Sequence, residues 1–314
     1  LSQEGNHQIL KELRTEVLDQ YDCFTVGETV LVTPKTARDL CSPERQELDM
    51  IFSFEHMEAD QYYIKWFKRK FNSMKFCTTL STWQQELDWN ANYFENHDQL
   101  RSVSRFGNDN EYWFESATML ATLLLSLKGT PFIYQGQEIG MTNNHFKSLQ
   151  ELQDVESHNV FKFLRSLHLP KWIVWRMIRK STRDHVRTPM QWNSDTNGGF
   201  STGKPWLQSN PNFKQINIEK QIGNPDSIRT FYQKMIAFRN TSNTMIYGDY
   251  EEVHIDKHSY VFKRFDAENT YIIAVNFSTK QQKIAAQGKV VLSTYNTPMF
   301  HGILQPFEAI ILRG

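Results

Sequence analysis

Glu28 and Asp98 are acids that each follow a short apolar, β-rich run. Cys23-Phe-Thr-Val26 ends in Gly27-Glu28-Thr29, and Ala91-Asn-Tyr-Phe94 is followed by Asn96-His97-Asp98. If these runs are strands of a parallel α/β sheet, both acids stand at carboxyl ends, the side on which such barrels do their chemistry. One carboxyl that donates a proton and a second that stabilises charge are the residue types needed to cleave a glycosidic bond. The same placement also fits two solvated strand-end acids. His97, beside Asp98, adds a donor for a sugar hydroxyl, although a lone histidine is more often a structural residue.

The acids need a framework that holds them on one face. Ile9, Leu10, Leu13, Val17 and Leu18 recur at helical spacing before the first strand. The unit then repeats: a helix near Pro34–Leu40, the strand Met50–Phe54, a helix near Leu80–Leu87, and the run Ala91–Phe94. A helix over Tyr112–Leu127 follows, closed by Gly129 and Pro131, and then the apolar run Phe132–Tyr134. Helices and strands alternating in this way imply right-handed βαβ units and a parallel sheet. Polar groups follow every strand: Glu28, then Glu55-His56, then Asn96 to Asp98, then Gln135 with Gln137-Glu138.

An excursion over about 140–225 precedes a helix at Ser227–Asn240, and excursions of this length are usually functional or disordered. Its aromatics and helical patches favour order. Beyond Asn243 the pattern changes to short alternating runs, Glu251–Ile255, Ser259–Phe262, Tyr271–Val275 and Ala309–Leu312, which read as antiparallel strands. The expected division is therefore 1–242 and 243–314.

Lys and Arg total 35, as do Asp and Glu, so no net field draws the chain to nucleic acid, anionic membranes or acidic substrates. A small neutral ligand is expected. Cys23, Cys41 and Cys77 are an odd set without C-x-x-C spacing, which points away from a disulfide framework or zinc site and towards the cytoplasm. The longest apolar run, Met119–Leu127, falls short of the roughly 20 residues that span a bilayer.

Thr25-Val-Gly-Glu-Thr29 and Glu95-Asn-His-Asp-Gln99 resemble two signature segments of the α-amylase superfamily, glycoside hydrolase family thirteen. Gly129–Met141, Asp154-Val-Glu-Ser-His-Asn159 and Arg187-Thr-Pro-Met-Gln-Trp192 resemble its branch of oligo-1,6-glucosidase, dextran glucosidase and trehalose-6-phosphate hydrolase. The resemblance runs in order from about Asn6 to the end. It implies an α/β fold, the C-terminal half of a (β/α)8 barrel followed by a small antiparallel β-sandwich. It also implies a retaining α-glucosidase acting on short α-glucans of the isomaltose type.

In that resemblance Glu28 matches the general acid and base. It must be protonated when bond cleavage starts and ionised once the nucleophile is esterified. Asp98 matches the transition-state stabiliser, His97 assists at the same hydroxyls, and Arg187 matches the arginine that holds the same glucose. Phe54 and Glu156 align with positions lining the neighbouring, reducing-side sugar; a core aromatic and an ordinary salt bridge are their alternative readings. Glu138, Glu55 and His56 are left out of catalysis.

The family nucleophile, an aspartate in a segment like Gly-Phe-Arg-x-Asp, has no match here, and Leu1 falls after it. The polypeptide is therefore expected to be a truncated portion, inactive alone, with no metal of its own; any family calcium site would lie upstream. No cofactor is expected, and the partner is a small oligosaccharide, with the full-length form a monomer. Competing expectations are a trehalose-6-phosphate hydrolase, a sucrose isomerase or transglucosylase, and a non-catalytic scaffold relative.

Overall fold

Thr33, Asn72, Asp154, Ser227 and Ser242 each accept a hydrogen bond from a backbone N–H two or three residues on, and each opens a helix. These caps punctuate a computed structural model that describes residues 3–42, 44–45 and 47–314; Leu1, Ser2, Pro43 and Gln46 lie outside it. In chain order, α1 (Glu4–Glu16) leads to β1 (Val26–Glu28), and α2 (Pro34–Cys41) to β2 (Met50–Phe52). A hairpin of β3 (Gln61–Tyr62) and β4 (Ile64–Lys68) intervenes before α3 (Ser73–Glu86) and β5 (Ala91–Asn92). Then α4 (Ser102–Phe106) and α5 (Trp113–Ser126) lead to β6 (Thr130–Pro131). The strands β1, β2, β5 and β6 pair in that order, all parallel, with Glu28 opposite Phe52 and Phe52 opposite Ala91.

The observed strands are shorter than the apolar runs and shifted along them. β1 takes in Glu28 itself, so the acid ends the strand instead of following it. β6 stops at Pro131, because Tyr134 N–H donates to the Gln137 side chain at 3.1 Å and Gly136 turns left-handed, drawing 134–137 into a local turn. Gly129 has φ +120 and lies so close to β5 that a Cβ would meet Asn90 O at 2.1 Å, which restricts the position to glycine. α3 begins at Ser73, well before the expected Leu80, started by the Asn72 cap.

The excursion folds on its own small core. α6 (Val155–Ser166) and α7 (Lys171–Arg179) bury Leu164, Val174 and Ile178 against Trp66 of β4 and Phe146, and a short α8 (Ile218–Gln221) precedes α9 (Ile228–Asn240) and α10 (Asn243–Tyr247).

The remaining strands are β7 (Asp249–Ile255), β8 (Ser259–Phe265), β9 (Thr270–Asn276), β10 (Gln282–Lys283), β11 (Lys289–Ser293), β12 (Ile303–Leu304) and β13 (Ala309–Arg313). Five form an antiparallel sheet ordered β11-β13-β9-β8-β7, and β10 pairs with β12. Side chains alternate across the larger sheet. Val261, Ala274, Ile310 and Leu312 meet Ile284 and Leu304 of the smaller layer, while Tyr260, Phe262, Ile273, Val275 and Ile311 join the core that also holds α5. That sandwiching buries α5 on nearly every side, and its Thr118 and Thr122 hydroxyls satisfy themselves on the carbonyls of Phe114 and Thr118.

Two buried arginines seal the junction. Arg239 donates to the carbonyls of Leu125, Leu127, Gly129 and Met245, and Arg264 to those of Ser126, Met245, Ile246 and Gly248. The carbonyls left open at the end of α5 find their donors there.

Candidate active site

β1 is locked to the neighbouring strand just before Glu28. Asp49 accepts from Thr25 N–H at 2.7 Å and from its hydroxyl at 2.8 Å, while Asp49 N–H donates back to Thr25 Oγ1 at 2.9 Å. Glu28 emerges exposed at the strand end. With Phe54, Tyr93, Asn96, His97 and Tyr134 it lines a hollow of about 200 Å³.

The turn carrying His97 and Asp98 is stapled from beneath. Glu95 is buried and takes Arg101 Nη1 at 3.0 Å on one oxygen and Ser102 N–H at 2.5 Å on the other. Arg101 also donates to Gln135 O at 2.7 Å and Val186 O at 3.3 Å, so one guanidinium fixes this turn against the segments ending at Gln135 and Arg187. Asn96 Oδ1 accepts from Asp98 N–H at 2.8 Å and closes the turn locally. A buried ion pair of this kind is a strong constraint, since removing one partner strands the other in a dry interior.

Asp98 is held through a single oxygen. Its Oδ1 accepts from Arg187 Nη2 at 2.6 Å and Arg183 Nη1 at 3.3 Å, with His97 Nε2 at 3.8 Å. Arg187 Nε also donates to His97 O at 3.0 Å. Asp98 Oδ2 takes no hydrogen bond among the described residues, which leaves one lone-pair face for a ligand hydroxyl.

Arg183 continues the network to Asp154, which it meets through Nε at 3.1 Å and Nη2 at 2.6 Å, and to Glu156 Oε2 at 3.5 Å. Burial pushes the Asp154 carboxyl up, but hydrogen bonds from Arg183 and Ser157 and the charges of Arg183 and Arg187 outweigh it and hold the group below its ordinary value.

Phe54 and Glu156 stand one step further out. Both line an apolar groove of about 770 Å³ between the β3–β4 hairpin and α6, and Phe54 belongs to the hollow as well, so the two spaces adjoin. Alone, the hollow is smaller than the 300–1,000 Å³ usual for ligand sites; with the groove it is not. Glu156 is ion-paired with Lys65 at 2.5 Å.

The structure thus brings Glu28, His97 and Phe54 to one hollow and ties Asp98, Arg187 and Glu156 into one charge network beside it. Glu55 accepts from Trp83 Nε1 at 3.0 Å, and His56, fully buried, bonds Tyr93 O at 2.8 Å; both serve packing. Glu138 lies outside the hollow, its carboxyl pushed up by burial. Among the described residues no group of three or more His, Cys, Asp or Glu is arranged to hold a metal ion, and no helix is long and apolar enough to cross a membrane.

Residues 2–248 match the family described as alpha amylase, catalytic domain, and residues 248–294 match the alpha-amylase C-terminal domain. The chain belongs to the α-amylase family. Its parallel sheet is accordingly the C-terminal half of a (β/α)8 barrel, with the β-sandwich behind it.

Among curated proteins it is similar to an oligo-1,6-glucosidase of Halalkalibacterium halodurans, 42% identical over 292 residues, covering 91% of this chain and 52% of that protein. It is also similar to a glucan 1,6-alpha-glucosidase of Streptococcus pneumoniae, 38% identical, covering 90% of this chain and 54% of that protein. Among solved structures it superposes on Bacillus licheniformis trehalose-6-phosphate hydrolase with a TM-score of 0.91 at 35% identity, covering 98% of this chain and 59% of the other. A trehalulose synthase of Pseudomonas mesoacidophila gives 0.94 at 31% identity, with 99% and 59% covered. The chain spans about half the length of the curated relatives it matches.

Arg183, Asp154 and Lys65 were missed as site residues by sequence reasoning. The Arg-x-x-x-Arg spacing of 183 and 187 was visible, but helical spacing would not have explained it: Arg183–His185 is a single 3₁₀ turn.

Proposed function

We propose that this chain supplies the proton-transfer and hydroxyl-binding side of a retaining α-glucosidase that acts on isomaltose-type oligosaccharides. Glu28 protonates the leaving oxygen and later activates water; Asp98, through its open Oδ2, binds hydroxyls of the nonreducing glucose as the ring flattens, where interactions strengthen along the reaction. His97 and Arg187 hold the same sugar, and Phe54 and Glu156 border the next one. The observation that carries this reading is the hollow shared by Glu28 and His97, with Asp98 pinned beside it by two guanidinium groups. The 1,6-glucosidase names of the curated relatives support the linkage. Free Cys23, Cys41 and Cys77 support a cytoplasmic setting.

No residue here matches the family nucleophile, so the reading includes that the chain alone does not turn over p-nitrophenyl α-glucoside. The test is a chimera joining the upstream half of a curated oligo-1,6-glucosidase to this chain. Isomaltose should be cleaved, and Glu28→Gln should lower kcat by about 10²–10⁴-fold. Cleavage that survives Glu28→Gln would sink the assignment. Sucrose rearranged in place of isomaltose hydrolysis would move the protein to the isomerase reading, and a requirement for trehalose 6-phosphate would move it to the phosphate-dependent one.

A further inference from the structure

α6 and α7 line two spaces that share no residue. The first is the apolar groove beside the hollow. The second, a cavity of about 520 Å³, lies where α7 begins, against the turn that carries Lys147 and Ser148. Its volume is that of a ligand site, roughly 300–1,000 Å³. Phe161 and Trp175 form part of its wall, half-buried and packed on the small core of the excursion. Trp172, at the second position of α7, is 67% exposed and is not among the residues packed on that core. The folding of the excursion therefore leaves this indole free, as a flat apolar face on which a sugar ring can stack.

The charges around the cavity are of one sign. From Ser157 to Arg183 the chain carries seven Lys or Arg and no Asp or Glu, although the whole chain has 35 of each sign. Lys147 and Lys171 line the cavity, are exposed, and have no ion-pair or hydrogen-bond partner for their ammonium groups among the described residues. Glu151, the acid closest in sequence to Lys147, is not part of the lining. Its carboxylate accepts from Lys147 N–H at 2.9 Å and from the Ser148 hydroxyl at 3.5 Å, and so stiffens the turn that presents the lysine.

The hollow and its rim offer carboxylates, the acceptors that neutral sugar hydroxyls need. The cavity offers two ammonium groups with Ser148 and Gln150, and no carboxylate. Two cations facing one space match a doubly charged group, and a phosphate monoester carries about −1.5 to −2 at pH 7. We propose that this cavity is a second ligand site, separate from the glycosidase hollow, which binds a phosphorylated sugar with its ring on Trp172 and its phosphate between Lys147 and Lys171. Arg176 and Arg179, exposed on the same helix, raise the local potential that draws the anion in.

The test is calorimetry on the chain with glucose 6-phosphate, glucose and inorganic phosphate. Glucose 6-phosphate should bind at one site with a Kd of about 0.1–1 mM, at least about tenfold tighter than either of the others, and more weakly as salt rises from about 0.05 to 0.5 M. Trp172→Ala and Lys171→Gln should each weaken it about tenfold, the loss of one contact, with the melting temperature unchanged. Trp172→Phe, which keeps a ring, should fall between Trp172→Ala and the unaltered chain.

A second probe separates the two sites. Asp98→Asn should lose 1-deoxynojirimycin, a glucose-configured iminosugar that reports the hollow, and keep glucose 6-phosphate; Trp172→Ala should do the reverse. Glucose 6-phosphate that gives no heat up to about 10 mM overturns the site. So does binding that Asp98→Asn abolishes and Trp172→Ala spares. Glucose bound as tightly removes the role of the lysines, and inorganic phosphate bound as tightly removes that of the indole; either result overturns the proposal. If the chain binds glucose 6-phosphate but no iminosugar, the glucosidase reading fails and the second site stands.

Discussion

Two pairs of arginines in this molecule live under opposite rules. At the rim, Arg183 and Arg187 have side chains 22% exposed and meet carboxylates. Hydrogen bonding to Asp154 raises the Arg183 guanidinium above its ordinary value, against a smaller opposing effect of burial. At the junction, Arg239 and Arg264 are buried and their hydrogen bonds go to backbone carbonyls. Burial lowers Arg239 to about 10, and burial with repulsion from Arg239 lowers Arg264 to about 9. The rim spends charge on orienting charge, and solvent can replace much of what is lost there. The junction uses a cation as a rigid multiple donor for helix-end carbonyls, and nothing can replace it once the core has closed.

The sharpest way to break that contrast is Arg264→Met. Several carbonyls lose their donor in a dry core, and the expected loss is about 3–5 kcal/mol in denaturant unfolding. A loss below about 1 kcal/mol would erase the distinction.

Acid should act next, from underneath the site. His56 lies behind the hollow and His185 behind the rim, both fully buried, and burial lowers each to about 4 despite hydrogen bonds to carbonyl oxygens. The unfolded chain takes up these protons near 6.5 and the folded one does not. Their contribution is complete above pH 6.5 and is lost as pH falls towards 4, at most about 3 kcal/mol each. Melting curves that stay level between pH 6.5 and 4.5 would contradict it.

Asp154→Ala removes the cap of α6 and the anchor of Arg183 together. About 1–2 kcal/mol should be lost, seen first as faster hydrogen exchange in α6 while α5 is unaffected; equal acceleration in α5 would mean the excursion is not a separate unit. Smallest should be Asp98→Asn. With the side chain 32% exposed, its pairs should contribute no more than about 1 kcal/mol, while iminosugar binding disappears. A destabilisation equal to that of Arg264→Met would show that rim and junction do not differ in kind.

Much of the scaffold was legible. The helical spacing of Ala117, Leu120, Ala121 and Leu124 located α5, and short runs rich in β-branched and aromatic residues located β7, β8, β9 and β13, because these are residue types that fit a pleated surface. The short strands β1 and β5 were found as apolar runs but misplaced at their ends, and β6 lies just before the run expected to form it. Parallel strands buried on both faces carry no alternation to mark where pairing stops. The β3–β4 hairpin was not found at all: Tyr63, fully exposed with φ +55, is the left-handed residue of its turn and belongs to no turn dipeptide that sequence rules recognise.

At the site the division is similar. Residue types and motif spelling marked Glu28, Asp98, His97 and Arg187, because a proton donor, a hydroxyl acceptor and a planar cation are chemical identities that a side chain carries in any conformation. Which oxygen of Asp98 is occupied, and which segment holds Arg183, depended on positions 98, 154, 156 and 183 converging across about 85 residues of chain. A hydrogen bond fixes a distance of about 3 Å between two atoms, and no spacing along the chain encodes such a distance until packing has closed the loops between them.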